Sequence, residues 1–178
     1  IDECFADLTG IPKVRDVSYA IRERVGRWTG IPVCVGIGPT KTLAKLANHV
    51  AKKHPRSQGV FNYNALTEEQ KTRLLQRIPV GDLWGVGRKL TQRLALHGVR
   101  TVQDLRVAHI PTLRAEFGVV MEKTQRELQE TPCIELQEVQ PDRQQIISTR
   151  SFGSMLPALP ALKVALSLLS LITFLRCP

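Results

Sequence analysis

The chain has 178 residues, enough for one medium-sized domain or two small ones with a real hydrophobic core. Lysine and arginine number 25 against 16 acidic residues, and this net charge of +9, spread along the chain, favours nucleic acid over membrane as the polyanionic partner. The four cysteines show no C-x-x-C pairing and no histidine at metal-ligand spacing, which argues against a zinc site and is typical of a reduced, cytoplasmic protein.

The first third of the chain predicts alternating strands and helices. Residues 1–8 suit a short strand, and a helix follows from Pro12. Its apolar face, at spacings of three and four, consists of Val14, Val17, Ile21, Val25 and Trp28. The run "IPVCVGIG" predicts a buried strand, and "PTKTLAKLANHVAKKH" predicts a helix with Pro39 and Thr40 at its start. This alternation indicates an α/β layer with helices packed on a sheet.

A turn-rich stretch follows from residue 55. Within it, the run from Val60 to Tyr63 predicts one short strand. Thr67 then begins a capping box with Gln70, and the helix is expected to end at about Arg77.

From Pro79 to about Glu130 the sequence predicts short helices joined by short loops. Two of these helices are separated at Gly98, and Thr101 is the expected N-cap of the second. We therefore place a domain boundary near residues 76–79.

The C-terminal stretch differs in composition from the rest of the chain. Strand character begins near Gln144, whereas residues 154–178 contain no acid and are rich in leucine and proline. Lys163 and two prolines leave only Val164–Leu175 as an apolar run, shorter than the roughly 20 residues of a membrane-spanning helix. Translation out of frame is the favoured origin of this tail, with a buried hairpin or a membrane-associated tail as alternatives.

Adjacent carboxylates, Asp2 and Glu3, interrupt the apolar run at the start of the chain. Such a pair is costly in an apolar strand unless a cation uses it, and a solvated strand terminus is the alternative explanation. On an ideal strand the two side chains would point to opposite faces, so a shared metal site requires a bend at residues 1–3.

The helix that starts at Thr40 predicts a cationic stripe. At 100° per residue one side carries Lys41, Lys45, Asn48 and Lys52, and the opposite side carries Leu43, Leu46, Ala47 and Val50. No acid occurs between Thr40 and Glu68, so a surface that faces phosphates competes with an ordinary solvated face.

The stretch "GVGRK" is a second candidate nucleic-acid site. Gly85 and Gly87 can expose backbone amides at the start of a helix that carries Arg88 and Lys89, and this combination binds phosphate. A leucine replaces the third glycine of a dinucleotide fingerprint, so the pattern indicates a helix-hairpin-helix, which binds DNA backbone without reading bases. An ordinary turn between packed helices is the alternative, and Trp84 is expected to pack in the core.

Four stretches, in their order and spacing, resemble the Y-family translesion DNA polymerases, and most closely their UmuC branch with its plasmid-borne mutagenesis proteins. They are "IDECFADLTG", "VCVGIGPTKTLAKLANHVAKK", "PVGDLWGVGRKLTQRLALHGVRTVQDL" and "IISTRSFG". The resemblance covers residues 1 to about 153 and implies an α+β fold. Residues 1–76 would be the C-terminal part of an α/β palm, 77–143 a small all-helical thumb with a helix-hairpin-helix, and 144–153 the start of a little finger; residues 154–178 diverge.

The resemblance also implies roles for individual residues. Asp2 and Glu3 match the catalytic acidic pair of the palm, which binds two Mg²⁺ ions. Lys52 falls where such enzymes place a lysine against the incoming triphosphate. The hairpin around Gly85, Gly87, Arg88 and Lys89 would rest on the DNA backbone, and Lys41 and Lys45 are expected to contact DNA as well.

The resemblance implies a cytoplasmic, error-prone DNA polymerase for translesion synthesis in the SOS response. Its substrates would be a primer-template with damaged DNA and deoxynucleoside triphosphates. A UmuD-type accessory protein, RecA and a sliding clamp would be partners of the full-length protein, with no membrane involved. Because the family has a further essential aspartate well before the acidic pair, we expect the chain to be a fragment that is inactive alone. The alternative is a non-catalytic, sequence-independent DNA-binding module.

Overall fold

A strand–helix–strand segment lies between one long helix and a series of shorter helices in this computed structural model, which describes residues 3–135. In chain order the elements are α1 (Val14–Thr29), β1 (Val35–Ile37), α2 (Lys41–Lys53), β2 (Val60–Asn62), α3 (Glu68–Arg77), α4 (Arg88–Leu96), α5 (Val102–Val107), α6 (Ile110–Phe117) and α7 (Val119–Leu128). Short 3₁₀ turns join them at Pro55–Ser57, Tyr63–Ala65 and Val80–Asp82. The strand predicted near Gln144 and the tail from 154 lie outside the described residues.

The two strands form a parallel pair. Val35 lies opposite Val60 and Ile37 opposite Asn62, with α2 as the crossover that a parallel pair requires. This confirms the predicted α/β layer, although each strand is three residues long and β1 is shorter than the run "IPVCVGIG". The strand and helix approach closely at Gly36, where a Cβ atom would collide with the backbone of Ala44 and Asn48.

Gly36→Ala is therefore expected to lower the free energy of unfolding by about 2–3 kcal/mol, because backbone atoms rather than a flexible side chain would have to move. Urea unfolding followed by circular dichroism measures the change. Gly26→Ala in α1 is the matched control, since its Cβ would meet nothing closer than 3.9 Å. The control should be neutral or stabilising by up to about 1 kcal/mol. Equal effects of the two substitutions would contradict the close approach.

The strand predicted over residues 1–8 is wrong for residues 3–8, which have no regular secondary structure. A strand needs a neighbour to hydrogen-bond, and the two strands found within residues 3–135 pair with each other. Local hydrogen bonds close a turn instead: Thr9 N–H donates to Asp7 Oδ1 at 2.8 Å, and Ile11 N–H to the Leu8 carbonyl at 3.1 Å. Hydrogen bonds from the side chain and the backbone N–H of Thr9 lower the pKa of the Asp7 carboxyl.

Helix α1 is confirmed, but its apolar face is only partly covered. Ser18 is buried, whereas Trp28 is 76% exposed and Ile21 is 38% exposed. The helix is tied to the rest of the unit by the Tyr19 hydroxyl, which donates to the Ser57 carbonyl at 3.2 Å.

A continuous hydrophobic core runs from α2 through the short helices. The α2 side chains predicted to face the core are buried, and they join residues from the C-terminal helices. Leu43, Leu46, Ala47, Val50, Leu75, Leu94, Val102, Leu105, Leu113 and Leu128 are among its members. Both predicted caps are present as capping boxes, Thr67 with Gln70 and Thr101 with Asp104. The division near residues 76–79 stays a prediction.

The N-terminus of α2 is closed by a carboxylate from α7. Glu127 is fully buried, and its Oε2 accepts the Thr42 N–H at 2.8 Å. Its Oε1 accepts the N–H groups of Cys133 and Ile134 at 3.1 and 3.0 Å. Thr40, the N-cap of α2, accepts the Leu43 N–H and donates to the Glu127 carbonyl. The helix with the cationic stripe is thereby fixed against α7.

Among residues 3–135, no helix has the length and apolar character that crossing a membrane requires.

Candidate nucleic-acid interface

Glu3 lies beside two lysines of α2. Its Oε2 forms an ion pair with Lys45 Nζ, and Lys52 Nζ lies 3.9 Å from its Oε1. The Glu3 side chain is half exposed, so the carboxylate faces solvent as well as the helix. The structure thus brings together three of the residues named from the sequence. Asp2 and the predicted bend at residues 1–3 involve positions outside the described residues.

The carboxylate of Glu3 suits Mg²⁺ in its donor type, because Mg²⁺ prefers hard oxygen ligands. Within residues 3–135, however, no group of three or more His, Cys, Asp or Glu side chains could hold a metal ion. Glu3 therefore fits as one ligand of a metal site. In this structure its negative charge is paired with the ammonium of Lys45.

The predicted stripe on α2 is present, and its members differ in what they contact. Lys41 Nζ donates to the Glu135 carbonyl at 2.6 Å, and the Asn48 amide donates to the Cys34 carbonyl at 2.6 Å. Lys52 is the most open lysine of the three, with 57% of its side chain exposed against 21% for Lys45. The most exposed lysine of the stripe therefore lies near the C-terminal end of α2.

The hairpin turn has the backbone geometry that its glycines suggested. Gly85 adopts φ +83°, in the left-handed region, and Gly87 is the extended N-cap of α4. A Cβ at either glycine would meet nothing within 4 Å, so the turn is open to an approaching ligand. Arg88 and Lys89, the first two residues of α4, are exposed.

The segment just before this turn, which the helix-hairpin-helix pattern predicts to be helical, forms a 3₁₀ turn at Val80–Asp82. Pro79, just before it, pairs in an isolated antiparallel bridge with Thr101.

Asp82 connects the hairpin to α2, a contact that the sequence did not indicate. Its Oδ2 accepts from Lys53 Nζ at 2.9 Å and lies 3.3 Å from His49 Nε2. The hydrogen bond from Lys53 is the main cause of the lowered pKa of the Asp82 carboxyl, with His49 adding to it. Lys53 and Asp82 are 29 positions apart in the chain, and no periodic signal in the sequence could have paired them.

The prediction that Trp84 packs in the core is wrong. The side chain is 43% exposed, and its ring lies 5.7 Å from the Phe5 ring at an interplanar angle of 49°. The neighbours Leu83 and Val86 occupy the core instead.

Two family models match the chain. The model of the impB/mucB/samB family matches residues 1–49, and the model of the thumb domain of DNA polymerase-iota matches residues 81–125. The first contains the acidic pair and most of α2, and the second contains the hairpin.

Several known proteins are similar to the chain. Protein UmuC of Salmonella typhimurium is 46% identical over 157 residues, which cover 86% of this chain and 37% of that protein. DNA polymerase IV 2 of Halalkalibacterium halodurans is 34% identical over 67% of this chain and 29% of its own length. Among solved structures, the match to DinB from Sulfolobus solfataricus covers 64% of this chain and 31% of the DinB chain. Its TM-score is 0.47 and the sequence identity is 21%.

The chain spans little more than a third of the length of its UmuC relative. The small parallel sheet, the helices that follow it and the thumb-domain match confirm the predicted α+β class with a helical thumb. The two matched regions follow each other in the same order as the palm and thumb segments in the resemblance described from the sequence. The chain belongs to the UmuC branch of the Y-family DNA polymerases.

Proposed function

We propose that this chain forms part of an error-prone DNA polymerase that carries out translesion synthesis on damaged DNA in the SOS response. The observation that carries the proposal is the position of Glu3 between Lys45 and Lys52 on α2. A carboxylate that would hold Mg²⁺ and a lysine that would bind the triphosphate need to lie near each other, because both would act on the same incoming nucleotide.

Each group in this arrangement has a separate task. Asp2 and Glu3 would hold Mg²⁺ through their carboxylate oxygens. When bound, the metal ions stabilise the attacking 3′-oxygen and the leaving pyrophosphate. Lys52 would bind and orient the triphosphate of the incoming nucleotide, and the hairpin with Arg88 would hold the DNA backbone.

The Asp82 contacts support a common orientation of these parts. Lys53 is adjacent to Lys52 in α2, and its ion pair with Asp82 reaches the segment just before the hairpin. DNA on the hairpin and a triphosphate at Lys52 would therefore meet the same rigid helix. A UmuD-type accessory protein, RecA and a sliding clamp are proposed partners of the full-length protein, which we propose to be cytoplasmic.

Replacement of both Arg88 and Lys89 by alanine should weaken DNA binding to a similar extent on unrelated duplexes, because backbone contacts carry no sequence information. The slope of the logarithm of affinity against the logarithm of salt concentration should flatten by about one to two phosphate contacts. Fluorescence anisotropy with two duplexes of different sequence measures both effects. Loss of affinity for only one of the duplexes would contradict backbone binding.

Residues 1–178 alone are expected to show no detectable template-directed primer extension. Glu3 has no second and third ligand among residues 3–135, and Asp2 would add only one carboxylate. Purified chain, labelled primer-template, nucleotides and Mg²⁺ provide the assay. Extension that stops on Asp2→Ala would overturn the expectation.

The open, cationic hairpin would by itself suffice for a non-catalytic DNA-binding module. A chimeric protein with residues 1–135 in place of the matching segment of Salmonella typhimurium UmuC separates the two functions. Mg²⁺-dependent extension that requires Glu3 supports the polymerase, whereas DNA binding without extension supports the module.

A further inference from the structure

The segment that carries Glu3 depends on side-chain contacts for its placement. Residues 3–8 have no regular secondary structure, so backbone hydrogen bonds to a neighbouring strand do not hold them. Lysines of α2 contact the segment at Glu3 and at Phe5, and the hairpin contacts it at Phe5. The ion pair between Glu3 and Lys45 is the closest of the ionic contacts, and the aromatic pair between Phe5 and Trp84 joins the segment to the hairpin.

Phe5 contacts α2 and the hairpin at the same time. Lys41 Nζ lies 5.2 Å from the centre of the Phe5 ring, a cation–π distance, and the same ammonium donates to the Glu135 carbonyl. The Trp84 ring lies 5.7 Å away at a tilt of 49°, within the range of favourable aromatic pairs.

Trp84 is held firmly enough to act as a support. Leu83 and Val86 on either side of it are 3% and 7% exposed and belong to the hydrophobic core. The 3₁₀ turn before them is tied to α2 by Asp82, and Gly85 turns the chain directly after Trp84. The indole therefore projects from an anchored backbone, whereas the segment 3–8 has no such anchor of its own.

We propose that Trp84 is a positioning residue for Glu3, the proposed metal-binding carboxylate. Through Phe5 it holds the segment 3–8 against α2, so that Glu3 faces the lysines there. The role assigned to the carboxylates rests on the proposed function, whereas the support of the segment rests on the contacts alone. The hairpin that binds DNA and the acidic segment then keep a fixed relative position.

A nitroxide spin label on Cys4 tests the support directly. Cys4 is exposed and lies between Glu3 and Phe5, and replacement of Cys34, Cys133 and Cys177 by serine leaves it as the single labelling site. In the full chain, Trp84→Ala should sharpen the electron paramagnetic resonance lines of the label because the segment moves more freely. Trp84→Phe keeps an aromatic ring and should restore the broad spectrum.

Trp28→Ala is the matched control, since Trp28 is the other tryptophan of the chain and is 76% exposed on α1. It should leave the spectrum unchanged. Thermal unfolding by circular dichroism establishes that each variant is folded. A spectrum that does not respond to Trp84→Ala, or responds equally to Trp28→Ala, overturns the inference.

Mn²⁺ binding by the unlabelled chain tests the consequence for the carboxylates. Trp84→Ala should weaken Mn²⁺ affinity by about threefold to tenfold, in line with the loss of one aromatic pair, and Trp84→Phe should recover most of it. If Glu3→Gln weakens Mn²⁺ binding but Trp84→Ala does not, the inference is overturned and the proposed function stands. If Glu3→Gln has no effect, the proposed metal site fails, and the label on Cys4 alone decides the role of Trp84.

Discussion

Glu127→Ala is expected to lower the free energy of unfolding by about 3–5 kcal/mol. The buried carboxylate accepts the N–H groups of Thr42, Cys133 and Ile134, and each donor left without an acceptor costs about 1–3 kcal/mol. A negative charge also leaves the N-terminus of α2, where the helix dipole favours an anion. Urea unfolding at neutral pH measures the loss, and Glu23→Ala on α1 is the control.

Glu23 forms only an exposed i,i+4 pair with Arg27, so its removal should change stability by less than about 0.5 kcal/mol. A loss below about 1 kcal/mol for Glu127→Ala would show that the carboxylate does not close the helix.

The stability contributed by Glu127 should also depend on pH. Burial raises the pKa of this carboxyl, but hydrogen bonds from Thr42, Cys133 and Ile134 outweigh burial and hold the pKa below its ordinary value of 4.5. A carboxyl whose pKa is lowered by folding stabilises the protein above its unfolded pKa, and this contribution is lost as pH falls through the folded pKa. The difference in stability between the natural chain and Glu127→Gln should therefore be constant near neutral pH and shrink in acid. A difference that grows in acid would contradict the lowered pKa.

The sequence predicted those parts of the fold that local rules determine. Thr67 and Thr101 cap helices because a hydroxyl three residues before an amide can reach it, whatever lies elsewhere in the chain. The stripe on α2 follows from the helical repeat alone. The family motifs identified the acidic segment and the hairpin as parts of one protein family. Local rules could describe each of them but could not predict that they lie close together.

Contacts between distant segments could not be predicted in this way. Asp82 meets Lys53, Glu127 meets Thr42, and neither pair shares a helix face or a strand register. Two of the predictions that the structure overturns have the same origin. Residues 3–8 were expected to form a strand, and Trp84 was expected to be buried. Whether a segment pairs or a side chain is buried depends on which distant residues the fold brings next to it. Once the fold brings Phe5 to Trp84, an exposed ring and an irregular segment support each other.

Loss of the acidic pair should have the largest effect on synthesis. In the chimeric protein with residues 1–135, Asp2→Ala or Glu3→Ala should each reduce the rate of primer extension by about 10³-fold or more. In the proposed function the carboxylates would hold metal ions, which supply several kcal/mol of charge stabilisation in the transition state, and each 1.36 kcal/mol is a factor of about ten in rate. Single-turnover extension in Mg²⁺ measures the rate, and anisotropy measures DNA affinity in the same samples.

DNA affinity should change little in either variant, because the hairpin with Arg88 and Lys89 lies on other elements. Lys45→Ala distinguishes the acid's role as a ligand from its role as an ion-pair partner. It removes the ammonium bound to Glu3 but keeps the carboxylate, so extension should survive at a rate far above that of Glu3→Ala. If Lys45→Ala and Glu3→Ala were equally inactive, the carboxylate would act through its ion pair with α2, since a metal ligand would tolerate loss of the lysine that competes for it.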